Sequence, residues 1–427
     1  MDRWPEHLPR IKQMGFDWIY LNPFHYSGYS GSLYAVKDYY EYHPVFVNAN
    51  LPEPPAKQLQ AFLDAAHAQG IKVMMDLVIN HTAFDSVMVQ QHPEWFVHGD
   101  DGQIKKPGCW DGETWIEWGD LAQIDNASNG GLWMYWLTMM KHYMAMGIDG
   151  FRCDAAYHVP SELWRFLIPG AREAKPGVKF FAETLGCRPW ELIEMADCGF
   201  DYVFNSVRWW DLGAPWFLEQ QGRTIGAAPS VGFPESHDTP RLAEELGGNQ
   251  QAVEQRYAFA ALFGTGVMIP VGFEFGFRTK LDVVETYPDA WEEPAFDLTG
   301  FIQQVNALKA SAPIFNLDGP LFEVNTYSPT VKAYLKATPD AREKALLIVN
   351  LDREAEQELH IPRIADAMGV RHVWDVSPGD HWTAELAQED LHAKLPPSGW
   401  HVLRGRLSDY VNPVNVGSNV ESATVSC

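Results

Sequence analysis

The stretch Gly147-Ile-Asp-Gly-Phe-Arg-Cys-Asp-Ala-Ala-Tyr-His158 leads from a turn glycine through a short apolar strand to a polar end. Arg152 and Asp154 are two residues apart, so in a strand their side chains point to the same side. In a parallel barrel, polar residues at the carboxyl ends of strands face the active-site mouth. A neighbouring arginine keeps an aspartate ionised because the opposite charge favours the anion. Taken alone, however, the stretch fits a purely structural ion pair at least as well.

Outward from this stretch, predicted strands alternate with predicted helices, which is typical of a parallel sheet. The predicted strands are residues 17–22, 71–79, the apolar part of 147–158, 178–183, 200–205, 230–235 and 267–275. The predicted helices are residues 5–14, 58–69, 131–146, 161–174, 190–196, 250–263 and 298–310.

The number of strands is one short of a closed barrel, since seven are predicted and the complete fold has eight. The chain enters a predicted helix at residues 5–14 before its first predicted strand. We therefore expect a (β/α)8 TIM-type barrel over residues 1–310 that lacks its first strand, through truncation or through substitution from elsewhere. Residues 82–131 interrupt the alternation and predict a lobe inserted after the second predicted strand, the third of a complete barrel.

Short alternating runs replace this pattern after residue 310 and predict an antiparallel β-sandwich over residues 311–405. The runs are residues 321–325, 331–335, 345–350, 371–376 and 400–403. Residues 406–427 are polar and unpatterned, and we predict that they form a disordered tail.

Composition excludes several classes of partner. The chain has 427 residues and a formal net charge of −24, which repels nucleic-acid phosphates and anionic membranes.

No apolar run is long enough to span a bilayer, and no signal peptide is visible at the start. The five cysteines are scattered without metal-type spacing, which is typical of reduced thiols in a cytoplasmic protein.

Polar clusters follow four predicted strands, and three of them carry the carboxylates Asp154, Glu183 and Asp238. On one barrel these groups would converge at the carboxyl end, where like charges raise one another's pKa. Arg152 supports Asp154, so Glu183 is expected to hold the proton.

This division of roles suits glycoside hydrolysis. A neutral Glu183 would protonate the leaving oxygen while an ionised Asp154 attacks the anomeric carbon, and Glu183 would then activate water. Asp238 would stabilise the positively charged transition state, and His81 and His237 would hydrogen-bond the sugar ring. Each histidine alone is more commonly a structural residue, but the arrangement favours the functional interpretation.

As an ordered set, these motifs resemble those of the α-amylase family of retaining (β/α)8 glycoside hydrolases, which act on α-glucosidic bonds. Residues 76–81 resemble its first motif and residues 147–158 its second, with Asp154 as nucleophile and Arg152 beside it. Glu183 matches the acid/base of the third motif, and residues 233–238 match the fourth. The resemblance also implies that Tyr34 stacks under the sugar that is cleaved.

The resemblance further implies a structural calcium between barrel and lobe, although no cofactor is expected to be required. Asn80, Asp120 and His158 match the usual ligands, His158 through its backbone carbonyl, and oxygen ligands suit Ca²⁺. A hydrogen-bonded network without metal is an equal alternative. The aromatic run at residues 109–118 could form a sugar platform or the core of the lobe.

The choice between hydrolysis and transfer stays open at this point. Residues 92–96, 181–183 and 272–275 resemble a branch that includes maltosyl-transferring enzymes, whereas residues 154–156 and 236–238 resemble hydrolase versions. We expect a hydrolase of maltodextrin, starch or glycogen-like glucans, with a maltosyl- or glucanotransferase as the alternative. A third alternative is an inactive, truncated glucan-binding protein. The missing strand favours it, but the presence of all three carboxylates does not.

Overall fold

A computed structural model of the chain describes residues 1–111, 114–127, 130–379, 382 and 389–407. The chain divides into two compact units, one of residues 1–204 with 280–292 and the other of residues 205–279 with 293–427. The predicted boundary at residue 310 does not coincide with this division and stays a prediction. Of the predicted tail, Arg406 belongs to the last strand and Leu407 follows it. Residues 408–427 lie outside the described residues.

The first unit contains the following elements among its described residues. Its strands are β1 (Trp18–Leu21), β2 (His25–Ser27), β3 (Val36–Tyr42), β4 (Lys72–Leu77), β5 (His81–Ala83), β6 (Gly108–Asp111), β7 (Thr114–Glu117), β8 (Leu121–Gln123), β9 (Gly150–Cys153), β10 (Lys179–Ala182) and β11 (Tyr202–Phe204). Its helices are α1 (Leu8–Gln13), α2 (Pro55–Ala68), α3 (Val87–Gln91), α4 (Gly130–Met146), α5 (Ser161–Ala174) and α6 (Pro189–Met195).

Five of these strands run parallel, side by side, in the order β1-β4-β9-β10-β11. Every residue of β9 is buried, as expected of a parallel strand that is covered on both faces. Gly150 begins β9 at a close approach to the neighbouring strand, because a Cβ there would lie 2.9 Å from the carbonyl oxygen of Lys179. The sequence pattern therefore predicted these five parallel strands correctly.

The start of the chain is helical. Within residues 1–15 the structure has a 3₁₀ turn at Trp4–His7 followed by α1, and no strand precedes β1 in this part of the chain. The prediction of a helix before the first visible strand is confirmed.

The segment predicted as an inserted lobe contains two small antiparallel pairs. β5 pairs with β8 and β6 pairs with β7. In the aromatic run, the side chains of residues 109–111 and 115 lie outside the described residues, so its role as platform or core stays open.

The second unit contains the following elements among its described residues. Its strands are β12 (Ser230–Gly232), β13 (Gly266–Val267), β14 (Phe322–Val324), β15 (Val331–Ala337), β16 (Glu343–Asn350), β17 (Gln357–Ile361), β18 (His372–Asp375), β19 (Leu391–Leu395) and β20 (Trp400–Arg406). Its helices are α7 (Trp216–Thr224), α8 (Leu242–Glu245), α9 (Gln250–Phe263), α10 (Thr299–Ala310) and α11 (Ile364–Met368).

The C-terminal strands are antiparallel, as predicted. Five form a sheet in the order β14-β15-β16-β20-β18, and β17 pairs with β19. Their common core contains Leu346, Ile348 and Leu403, which are fully buried. The sequence patterns identified the five strands of the sheet, but not β17 and β19.

The last predicted parallel strand, residues 267–275, is wrong beyond Val267. β13 ends at that residue, and Phe273–Phe275 form a 3₁₀ turn. Pro270 lacks the N–H that a sheet requires, and Gly272 takes a left-handed φ of 96° that turns the chain.

A buried lysine joins two helices of this unit. Lys309, on α10, lies among the carbonyl groups at the end of α9. Its Nζ donates to the carbonyls of Ala261 and Gly264, both at 2.8 Å, and to that of Phe315 at 2.5 Å. A cation is favoured at this position because the carboxyl end of a helix carries partial negative charge.

Candidate active site

Asp154 and Glu183 follow the carboxyl ends of neighbouring strands in the first unit. β9 and β10 pair in a register that places Cys153 beside Ala182, so the next residue of each strand is one of the two carboxylates. The Glu183 N–H donates to the carbonyl of Cys153 at 3.0 Å. The parallel register therefore brings together two groups that are 29 positions apart in the sequence.

Arg152 links two buried carboxylates through one nitrogen atom. Its Nη1 lies 2.7 Å from Asp154 Oδ1 and 3.0 and 2.9 Å from the two oxygens of Asp76. Arg152 is 4 % exposed and Asp76 1 % exposed. The predicted pairing of Arg152 with Asp154 is present, and the positive charge favours the ionised form of that aspartate.

Asp76 is the residue whose contribution sequence reasoning missed. Besides Arg152, it accepts hydrogen bonds from the hydroxyls of Tyr20 at 2.5 Å and Tyr34 at 2.6 Å. The two hydroxyls are also 2.9 Å apart. Burial raises the pKa of Asp76, and the Arg152 charge opposes this. Tyr20 in the half-buried strand β1 was the available signal, because a hydroxyl removed from solvent needs a partner.

Tyr34 was predicted to stack beneath the sugar. The structure places its hydroxyl in the Asp76 group, 3.5 Å from Arg152 Nη1, and its ring face near that guanidinium, 5.9 Å from centroid to Cζ. Tyr34 therefore lies beside the proposed nucleophile's arginine. Its stacking on a sugar stays a prediction.

Glu183 lies in surroundings that favour its protonated form. Burial raises its pKa from 4.5 to about 7, and the Asp154 charge adds to this, whereas Arg152 opposes it. Its Oε2 accepts a hydrogen bond from the Ala155 N–H at 2.9 Å, and its Oε1 accepts one from the Leu185 N–H. Both oxygens are therefore fixed by backbone donors.

Ala155 makes one of these contacts from an unusual conformation. Its φ of 41° lies in the left-handed region. That conformation costs a non-glycine residue about 1–2 kcal/mol. Backbone strain of this kind persists where the surrounding structure holds the residue in the strained conformation, and such residues cluster at functional sites. Here the turn directs the N–H that follows Asp154 to the Glu183 carboxylate.

His81 is buried and only 3 % exposed. Burial lowers its pKa to about 4, so the imidazole is neutral at neutral pH. Its Nε2 has no hydrogen-bond partner among the described residues. A neutral imidazole with an unused nitrogen could donate to or accept from a sugar hydroxyl, as predicted from the sequence.

The other two predicted residues, His237 and Asp238, belong to the second unit and follow β12. His237 is buried, whereas the Asp238 side chain is 52 % exposed. His237 Nε2 lies 3.3 Å from Asp238 Oδ2. The Asp238 N–H donates to the hydroxyl of Ser236 at 3.2 Å, which holds the turn.

Two of the predicted calcium ligands, Asn80 and Asp120, adjoin the β5–β8 pair. The Ile124 N–H donates to the Asn80 carbonyl at 3.2 Å, and the Phe84 N–H to the Asp120 carbonyl at 2.9 Å. These contacts place Asn80 directly before β5 and Asp120 directly before β8. The Asn80 side-chain nitrogen lies 3.5 Å from His81 Nδ1, and the Asp120 charge also acts on His81. Calcium binding by Asn80, Asp120 and His158 stays a prediction from the resemblance alone.

Residues 5–177 match the family model described as "Alpha amylase, catalytic domain".

Comparison with named proteins finds both transferases and hydrolases. The chain is 28 % identical over 381 residues to an alpha-1,4-glucan:maltose-1-phosphate maltosyltransferase of Burkholderia pseudomallei, covering 82 % of this chain and 32 % of the relative. It is 24 % identical over 419 residues to a cyclomaltodextrinase of Geobacillus thermopakistaniensis, and this match covers 92 % of this chain and 68 % of the relative. The chain spans 32 to 64 % of the length of three curated maltosyltransferases that it matches.

Among solved structures, the noncanonic maltogenic alpha-amylase AmyB from Thermotoga neapolitana is similar with a TM-score of 0.73. The sequence identity is 23 %, and the match covers 95 % of this chain and 94 % of that one. This likeness supports the predicted fold class, a TIM-type barrel followed by antiparallel sheets.

Proposed function

We propose that this chain is a glycoside hydrolase of the α-amylase family that cleaves α-glucosidic bonds, chiefly α-1,4 bonds, with retention of configuration. The observation that carries the proposal is the contrast between two neighbouring carboxyl groups. Asp154 is ion-paired with Arg152, whereas burial raises the pKa of Glu183 to about 7.

The proposed reaction has two displacements at the anomeric carbon. In the first, Glu183 gives its proton to the glycosidic oxygen while an Asp154 oxygen forms a bond to the anomeric carbon and the leaving sugar departs. In the second, the Glu183 carboxylate takes a proton from water, whose oxygen displaces Asp154 from the sugar. The cycle restores both carboxyl groups and consumes one water molecule.

Arg152 has a positioning role in this scheme, because it contacts Asp154 rather than the reacting atoms. It also balances the charge of Asp76, which would otherwise repel the Asp154 carboxylate. The role of Asp238 in stabilising the transition state, and those of His81 and His237 in binding the sugar, are proposed from the sequence motifs.

The proposed substrates are maltodextrin, starch or glycogen-like glucans. A structure of similar fold, an alpha-amylase from Geobacillus thermoleovorans, was solved in complex with acarbose.

No helix in the described ranges is long and apolar enough to cross a membrane. Among the described cysteines, Cys153, Cys187 and Cys198 are free thiols. A cytoplasmic location, and independence from cofactors, stay expectations from the sequence.

The second candidate is glycosyl transfer, which the similarity to maltosyltransferases favours. The first displacement would be the same, but a sugar hydroxyl would replace water in the second. With maltose 1-phosphate as donor, phosphate would be the leaving group.

One incubation tests both candidates. The purified chain is mixed with maltoheptaose, with and without maltose 1-phosphate, while reducing ends and free phosphate are measured. New reducing ends without phosphate would support the hydrolase, and proton NMR of the first product should show the α-anomer. Phosphate release with lengthening of the glucan would instead identify the transferase.

Two variants make the test specific. Asp154→Ala removes the proposed nucleophile and should abolish turnover. Asp197→Ala removes an exposed aspartate that pairs with Arg165 and should leave turnover unchanged. Undiminished activity in Asp154→Ala, or first products of β configuration, would contradict the proposal.

A further inference from the structure

The second unit contains a cavity of about 440 Å³ that none of the proposed catalytic residues lines. Part of its wall is apolar and includes Trp210, Leu242 and Leu351. The remainder carries three arginines, Arg208, Arg256 and Arg353, which are far apart in the sequence. Cavities of this size commonly accommodate small organic ligands.

The charges around this cavity have a positive excess. Its carboxylates are Glu245, which is ion-paired with Arg208, and Asp211, so three guanidinium groups face two carboxylates. A local excess of positive charge is unusual in a chain whose formal net charge is −24.

Arg256 is held by backbone groups rather than by a carboxylate. Its guanidinium donates to the carbonyls of Val207 at 3.2 Å, Arg208 at 2.9 Å and Trp210 at 3.1 Å. Burial lowers its pKa to about 10, and the charges of Arg208 and Arg353 contribute to this shift. The three cations therefore repel one another, and an anion among them would relieve this repulsion.

Two buried donors in the cavity wall lack partners. Arg208 Nε and Ser398 Oγ have no hydrogen-bond partner among the described residues, although Arg208 is 9 % exposed and Ser398 2 % exposed. Leaving such groups unpaired is costly, so most are satisfied in native structures. Ser398 also has a left-handed φ of 54°, a strained conformation for a serine.

We propose that this cavity binds the phosphate group of a small organic phosphate. Arg208 Nε, the Ser398 hydroxyl and the exposed Arg353 would donate to the phosphate oxygens, as arginines and hydroxyls commonly do. The apolar wall would contact the organic part, because the volume exceeds what a phosphate ion alone would fill. The same chemistry could be supplied by free phosphate, so the two sources have to be compared.

Isothermal titration calorimetry of the full chain with glucose 6-phosphate, inorganic phosphate and glucose tests this proposal. We expect glucose 6-phosphate to bind most tightly, inorganic phosphate more weakly, and glucose not at all. Equal affinity for the two phosphates would retain the anion site and identify free phosphate as its ligand. No binding of either phosphate in the millimolar range, or equal binding of glucose, would overturn the proposal.

Three variants locate the site. Arg353→Ala and Ser398→Gly should each weaken phosphate binding about tenfold or more, since each removes one donor to a charged group. Glycine at position 398 is compatible with the left-handed backbone, which keeps the fold intact. Arg342→Ala removes the same charge from an exposed position elsewhere in the unit and should leave binding unchanged. Unaltered affinity in both test variants would place the ligand elsewhere. Because binding rather than turnover is measured, the result does not depend on the proposed catalytic activity.

Discussion

The protonation of Glu183 gives a quantitative test of the proposed catalytic roles. Its pKa is raised from 4.5 to about 7, mainly by burial and further by the Asp154 charge. This difference corresponds to about 3 kcal/mol in favour of the protonated form. At pH 7 about half of the Glu183 carboxyls carry the proton, compared with about one in 300 at the ordinary pKa. The environment therefore makes the general acid about 150-fold more abundant at neutral pH.

The expected consequence is a pH profile with an alkaline limb near neutrality. Since a general acid must be protonated, kcat/KM for maltoheptaose should fall as the pH rises through about 7. The measurement is a series of initial rates between about pH 4 and pH 9, with Glu162→Gln as an exposed-carboxylate control that should leave the limb in place. A limb centred near the ordinary pKa of about 4.5, or a flat profile up to about pH 9, would refute the reasoning.

The same pKa shift affects stability, which can be measured without turnover. A raised folded-state pKa means that the folded chain binds the proton more tightly than the unfolded chain. The resulting stabilisation is complete below pH 4.5 and is lost as the pH rises through about 7. The free energy of unfolding of the first unit should show this dependence in urea titrations.

Three further substitutions test the groups around the site and the core. Arg152→Met removes the positive charge between two buried carboxylates and should destabilise the first unit by about 3–5 kcal/mol in urea titrations, whereas Arg165→Met, which removes exposed ion pairs, should change little. Tyr20→Phe removes a 2.5 Å hydrogen bond to a buried carboxylate and should lower the free energy of unfolding by about 1–3 kcal/mol in the same assay. Tyr26→Phe, at an exposed tyrosine, is the control. Equal urea midpoints in the two variants would contradict this prediction. Lys309→Met removes the donor to three buried carbonyls and should lower the stability of the second unit by roughly 3 kcal/mol or more, with loss of amide protection at the end of α9 in hydrogen exchange.

The parallel strands of the first unit were predictable because burial on both faces leaves a recognisable apolar run. β4, β9 and β10 follow such runs, and the strand-end position of Asp154 and Glu183 follows from them. The strand predicted at residues 267–275 fails for a local reason, since Pro270 and Gly272 redirect a chain that is apolar enough to be a strand.

The contacts of Asp76 were not predictable in the same way. Its partners Tyr20 and Arg152 lie 56 positions before it and 76 positions after it, and only the register of β1, β4 and β9 brings the three side chains together.

The two backbone N–H groups that hold Glu183 have a consequence for the timing of the proposed cycle. A carboxyl that changes from proton donor to proton acceptor commonly has room to turn between the two steps, but here Ala155 and Leu185 fix both of its oxygens. The side chain can exchange its proton without changing rotamer. The proposed cycle would then need no rearrangement of the catalytic group between its two steps.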